Sequence, residues 1–127
     1  MIEGYVNVFE QPIVELVIKG SRSEQNLYAI VDTGFDGDLC IPIYIAIVLG
    51  LELKSTMHVE LADGTLKREL VFKGIAKLEE EELSVEILLT ESDDALIGTH
   101  LLRHKKLCID FENETVNITC ASPSDGT

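Results

Sequence analysis

Residues 27–34 read Leu27-Tyr28-Ala29-Ile30-Val31-Asp32-Thr33-Gly34. The apolar run Leu27 to Val31 carries an aspartate off the end of a strand into a tight Thr-Gly turn, and this arrangement occurs once in 127 residues. Backbone geometry holds an Asp placed there rigidly, at the rim of the core that the run helps to build. Two such carboxylates brought into contact share one proton rather than ionise together. The tripeptide alone is weak evidence; its surroundings strengthen it. About sixty residues later Ala95-Leu96-Ile97-Gly98 forms a second apolar run ending in glycine.

Outward from the Asp, the chain reads as short strands. Val14, Leu16 and Ile18 alternate with Glu15 and Lys19, the period of a half-buried strand. His58–Leu61 and Leu66–Leu70 flank Asp63-Gly64, a strong hairpin signal. A second hairpin runs from Val71-Phe72 to Leu78, turns through the glutamates 79–82, and returns as Leu83, Val85, Ile87 and Leu89. Leu107, Ile109 and Phe111 pair with Val116 and Ile118 through Glu112-Asn113-Glu114. Pro42 and Gly50 bracket Ile43 to Leu49 as helix start and stop, although β-branched residues there leave strand open on propensity. After Gly98 a short helix is expected, capped by Thr99, with Leu101 and Leu102 inward and its end near Lys106. Many short strands with one or two short helices predict an all-β closed barrel. There is no internal repeat. The predicted domain covers residues 1–120, with a flexible tail over 121–127.

Taken together, Ile30-Val31-Asp32-Thr33-Gly34, then Leu61-Ala62-Asp63-Gly64-Thr65, then Leu96-Ile97-Gly98-Thr99-His100-Leu101-Leu102 resemble the catalytic framework of the retropepsin-like aspartic proteases. The string Val31-Asp32-Thr33-Gly34-Phe35-Asp36-Gly37 is most similar to the small archaeal and bacterial members of that clan. The resemblance extends over roughly residues 10–120 and implies a single-lobe acid-protease barrel, with helix rather than strand at 43–49. It implies roles for individual residues too. Asp32 is the catalytic carboxylate, Thr33 bonds across a dimer to the partner's loop, and Gly34 lets the backbone pass close to the carboxylate. Gly98 lets the second apolar strand cross beneath the Asp loop. Ala62, Asp63 and Gly64 form the tip of a flap over the substrate. For Gly64 ordinary turn chemistry explains the residue equally well.

Aspartate-catalysed peptide hydrolysis needs two carboxylates about 3 Å apart. This chain offers one: Asp63-Gly64-Thr65 and Asp125-Gly126-Thr127 have the residues in another order. The second must come from another copy about a two-fold axis, so the expected enzyme is a homodimer acting on a peptide or protein. Two departures bear on activity. Retroviral members have a small residue after the Gly, where Phe35 stands here; its ring is expected to fill part of the pocket beside the dyad. The flap tip also lacks a glycine-rich run. The alternatives are a peptide-binding or dimerisation module of the same fold that no longer cleaves, and an unrelated acidic β-barrel in which Asp32 merely makes a turn.

Bulk properties narrow the field. A net charge of -13 with only 10 Lys and Arg argues against nucleic acid and against anionic membrane surfaces, and favours a solubilising role for the charge. The apolar stretch from Leu39 to Leu51, interrupted by Pro42 and Gly50, is too short to span a bilayer. Without a signal peptide at its start, and with three unpatterned cysteines (Cys40, Cys108, Cys120), the chain reads as cytoplasmic with reduced, mostly buried thiols. No cofactor or metal is expected. His100 and His104 have a zinc-compatible spacing, but no Glu follows the first His and a basic helix end explains the cluster. Cys40 has no evident base partner.

Overall fold

The structure is a computed structural model that describes residues 1–120; the tail expected over 121–127 lies outside the described residues. Ten strands and one helix follow in order. They are β1 (Ile2–Val6), β2 (Pro12–Lys19), β3 (Glu24–Val31), β4 (Leu39–Pro42), α1 (Ile43–Leu49), β5 (Glu52–Glu60), β6 (Leu66–Leu78), β7 (Glu81–Thr90), β8 (Ala95–Ile97), β9 (Lys105–Asp110) and β10 (Thr115–Cys120). The strands join in the order β5-β6-β7-β4-β8-β3-β2-β1-β10-β9. Val17, Ile18 and Lys19 of β2 also pair with Lys77, Ala76 and Ile75 of β6. That extra ladder closes β6, β7, β4, β8, β3 and β2 into a barrel, with β5 attached at one side and β1, β10 and β9 at the other.

The period-two readings hold where the barrel is tightest. Val14, Leu16 and Ile18 are buried on one face of β2, with Ala29 and Val31 beside them on β3. Leu39, Ile41, Ile87 and Ile97 are fully buried and fill the centre. The Pro42/Gly50 bracket delimits α1 as expected. Gly50 takes the left-handed conformation (φ 68°), and its N–H bonds back to the carbonyls of Ala46 and Ile47. That cap uses glycine because a Cβ is strained there.

Three readings need correction. Residues 99–104 form successive turns, not a helix, so α1 is the one helix among the described residues. The amides of Thr99 and His100 are taken by the carbonyls of Phe35 and Gly37, and later ones reach back only three residues, Leu102 to Thr99 and Lys105 to Leu102. Lys105 and Lys106 belong to β9, where they pair with Cys120 and Thr119. A helix dipole therefore does not account for the basic cluster; Lys105, its side chain 7% exposed, pairs with Glu81 at 3.1 Å. The glutamate turn is shorter than read, since Glu81 already begins β7 and only Glu79 is left-handed (φ 58°). Finally, of the three cysteines only Cys40 is even partly covered; Cys108 and Cys120 are exposed. Among the described residues no helix is long and apolar enough to cross a membrane.

Ile97 combines complete burial with a backbone carbonyl that accepts the Asp32 amide at 2.9 Å. Ile97→Ala leaves a cavity directly under the loop, and an unfolding free energy lower by about 3 kcal/mol is expected. Urea denaturation with an unchanged slope measures it.

Candidate active site

β8 lies between β3 and β4, parallel to the first through Ala29↔Ala95 and Val31↔Ile97, and antiparallel to the second through Leu39↔Ile97. The chain from β3 to β4, residues 32–38, must therefore arch over the end of β8 at which the backbone leaves toward Gly98. Backbone hydrogen bonds fasten the crossing. Asp32 N–H donates to Ile97 O (2.9 Å) and Gly98 N–H to Asp38 O (2.9 Å); Thr99 N–H donates to Phe35 O (2.8 Å) and His100 N–H to Gly37 O (3.2 Å). A Cβ on Gly98 would lie 2.1 Å from Gly37 O, inside any tolerable contact. The glycine is required by the crossing and not merely by a turn.

Within the arch, Gly34 N–H donates to Asp32 Oδ1 at 2.9 Å, and Phe35 N–H donates to Asp32 O at 3.1 Å. Asp32 is half-buried, while Thr33 and Gly34 are exposed at the rim. The carboxylate is thus held by its own loop and open on one side. Phe35 is half-buried; its ring atoms lie 2.7 Å and 2.8 Å from where a Cβ would sit on Gly37 and Gly98 respectively. The ring packs onto its own two glycines. Asp32, Thr33, Gly34, Phe35 and Gly98 therefore occupy one layer.

Ala62, Asp63 and Gly64 lie apart from that layer, at the exposed tip of the β5–β6 hairpin. Asp63 Oδ1 accepts the Thr65 N–H (3.0 Å) and hydroxyl (2.6 Å), and these bonds hold its carboxyl below the usual carboxylate range. Gly64 has φ 86° with nothing within 4 Å of a built Cβ. Along β6, Glu69 shares a face with Val71, which is buried on the side of the strand opposite to the core residues Ala76 and Leu78. Burial, and after it the charge of Glu69, pushes the Cys40 thiol up.

Sequence reasoning missed Gly37 as a packing partner of Phe35, and missed Asp38 altogether. The carboxylate of Asp38 meets His100 Nδ1 at 2.6 Å and accepts the Glu86 N–H at 2.9 Å. The one available signal was an Asp directly preceding an apolar strand. His100 is thereby occupied by a carboxylate, and no group of three or more His, Cys, Asp or Glu suited to a metal occurs among the described residues.

Gly98→Ala is expected to cost about 3 kcal/mol or more, since neither backbone at the crossing is free to yield. Gly64→Ala meets only conformational strain, about 1 kcal/mol. Urea unfolding of the two variants in parallel reads the difference. For Asp63 the sign follows from its lowered value: the ionised form is favoured by folding, so its contribution is present at neutral pH and is lost as pH falls through the lowered value. Thr65→Val removes the leading hydroxyl bond, and NMR titration is expected to show the Asp63 carboxyl moving up toward the ordinary range.

No protein-family profile matches this chain, and no curated protein matches its sequence. Solved structures do match. A retropepsin-like aspartic protease from Rickettsia conorii superposes with a TM-score of 0.66 at 20% identity, over 92% of this chain and 87% of the other. The EIAV protease complexed with the inhibitor HBY-793 gives 0.56 at 14% identity, over 76% and 89%. The simian foamy virus (mac) protease gives 0.54 at 23% identity, over 72% and 91%. The barrel is retropepsin-like.

Proposed function

We propose that this chain is an aspartic endopeptidase of the retropepsin type, close to the small archaeal and bacterial members, whose dyad is formed by Asp32 of two identical chains. The observation that carries the reading is the placement of Asp32. It stands at the end of an apolar strand, oriented by the Gly34 amide and anchored to Ile97, with one side open, in a barrel that aspartic proteases share. In the dimer one carboxylate takes a proton from water while the other, protonated, polarises the scissile carbonyl. The tetrahedral intermediate then collapses as the leaving amine takes up that proton.

The surroundings of Asp32 support a partner. The β1–β2 turn sits at the same end of the sheet, because Ile13 pairs with Ile30, and it exposes Val8 (90%) and Phe9 (78%). The Val6 N–H bonds to Glu114 O, which brings the β9–β10 turn and the exposed Phe111 alongside. Apolar tips flanking a half-site are what a second copy would cover. A peptide-binding module with the same dimer remains distinguishable by experiment.

Asp32→Asn removes the group that activates water and is expected to lower cleavage of a peptide library at least about a hundredfold, while the dimer persists in sedimentation. Phe35→Ala is expected to raise turnover of substrates with bulky groups beside the scissile bond. Digestion by parent and both variants over roughly pH 4–7 tests the reading, the range in which a shared proton operates. A strictly monomeric parent at high concentration overturns it. Peptide binding without cleavage in any form assigns the chain to the binding module instead.

A further inference from the structure

Asp38, at 6% exposure, is the sole buried acidic residue among the described residues. A carboxylate taken out of water stays there only when its oxygens are fully engaged. Those of Asp38 reach two different elements: His100 Nδ1 in the turn after β8 (2.6 Å) and the Glu86 N–H in β7 (2.9 Å). Its own carbonyl accepts the Gly98 N–H. An ionised carboxylate only accepts, so Nδ1 of His100 carries the hydrogen and Nε2 is left for solvent. Arg103 Nη1, 3.2 Å from that same Nδ1, cannot donate to an N–H; its bond goes to the His100 carbonyl at 2.7 Å and braces the turn.

The location matters. Where the Asp32 loop crosses the β8 exit, the facing residues are Gly37 and Gly98, so side-chain packing has little to grip beyond Phe35. A polar fastening takes its place. We infer that Asp38 and His100 are a positioning pair that pins the far end of the Asp32 loop to the Gly98 turn and to β7, and so sets the carboxylate of Asp32. Neither residue touches the reacting atoms. The inference rests on the reading of Asp32 as the working carboxylate.

His100, with a side chain 55% exposed, can be replaced without opening the core. In His100→Ala the donor to Asp38 is gone; in His100→Asn the side-chain amide stands where Nδ1 stood. Amide hydrogen exchange of the full chain at Gly98 and Thr99 is expected to quicken about tenfold or more in His100→Ala and to return close to parent in His100→Asn. Val116 and Ile118 in β10 are expected to exchange as in parent in both. On a peptide that the parent cleaves, His100→Ala is expected to lower kcat about tenfold at constant KM, with rescue by His100→Asn. Faster exchange spread evenly to Val116 and Ile118, no change at Gly98 and Thr99, or an Asn variant as impaired as Ala would each overturn the pairing. If the local exchange pattern appears while the parent cleaves nothing, the fastening stands and the protease reading falls.

Discussion

Two backbones cross at Gly37 and Gly98 with no side chain between them, and the remaining architecture is arranged around that contact. β8 enters between β3 and β4, so the loop joining those strands has to pass over its end. Carbonyls and amides from the two segments then satisfy one another, as buried backbone groups must. The crossing sets where Asp32 stands, because its amide bonds to the last residue of β8. It sets where Phe35 rests, because glycines leave room for a ring. The segment that follows has little length in which to wind, because β9 begins at Lys105, and its later amides reach back only three residues.

Local signals in the sequence were legible because local physics decides them. The alternation through Val14, Leu16 and Ile18, the Asp63-Gly64 turn and the Pro42/Gly50 bracket each depend on a few neighbours in the chain, and each appears in the fold. The Asp32 turn and Gly98 were legible as a pair, through resemblance. What could not be read depends on residues far apart. β1 pairs with β10 over more than a hundred residues, and Asp38 meets His100 across 62. The helix expected after Gly98 was read from a Thr and two leucines, whereas the distant strand β10 takes the chain into a ladder from Lys105 and leaves room only for three-residue turns.

The fold and the distribution of exposed residues complement one another. The barrel interior is apolar with a single carboxylate in it, and the ionic pairs lie on the surface, some across a ladder, as Lys73 with Glu52, and others between strands that do not pair, as Lys54 with Glu86. Exposed pairs of this kind add little to stability. The rim around Asp32 differs: Val8, Phe9 and Phe111 face solvent there with no charged side chain needed to explain them. An isolated chain with these tips uncovered carries an association-prone edge beside an otherwise strongly anionic body.

β6 runs for thirteen residues, and its two halves have different partners. From Leu66 to Lys73 it pairs with β5 in the exposed hairpin; from Phe72 to Leu78 it pairs with β7, and it also closes the barrel against β2. The strand is therefore a cantilever, clamped over one half of its length and free over the other, with its fulcrum at Phe72-Lys73. Bending at the tip would be resisted by a continuous backbone rather than by a loop, with the stiffness of the hairpin set where β6 enters the barrel. Substitutions at the root, such as Val71 or Phe72, would tune the travel of a tip they never touch.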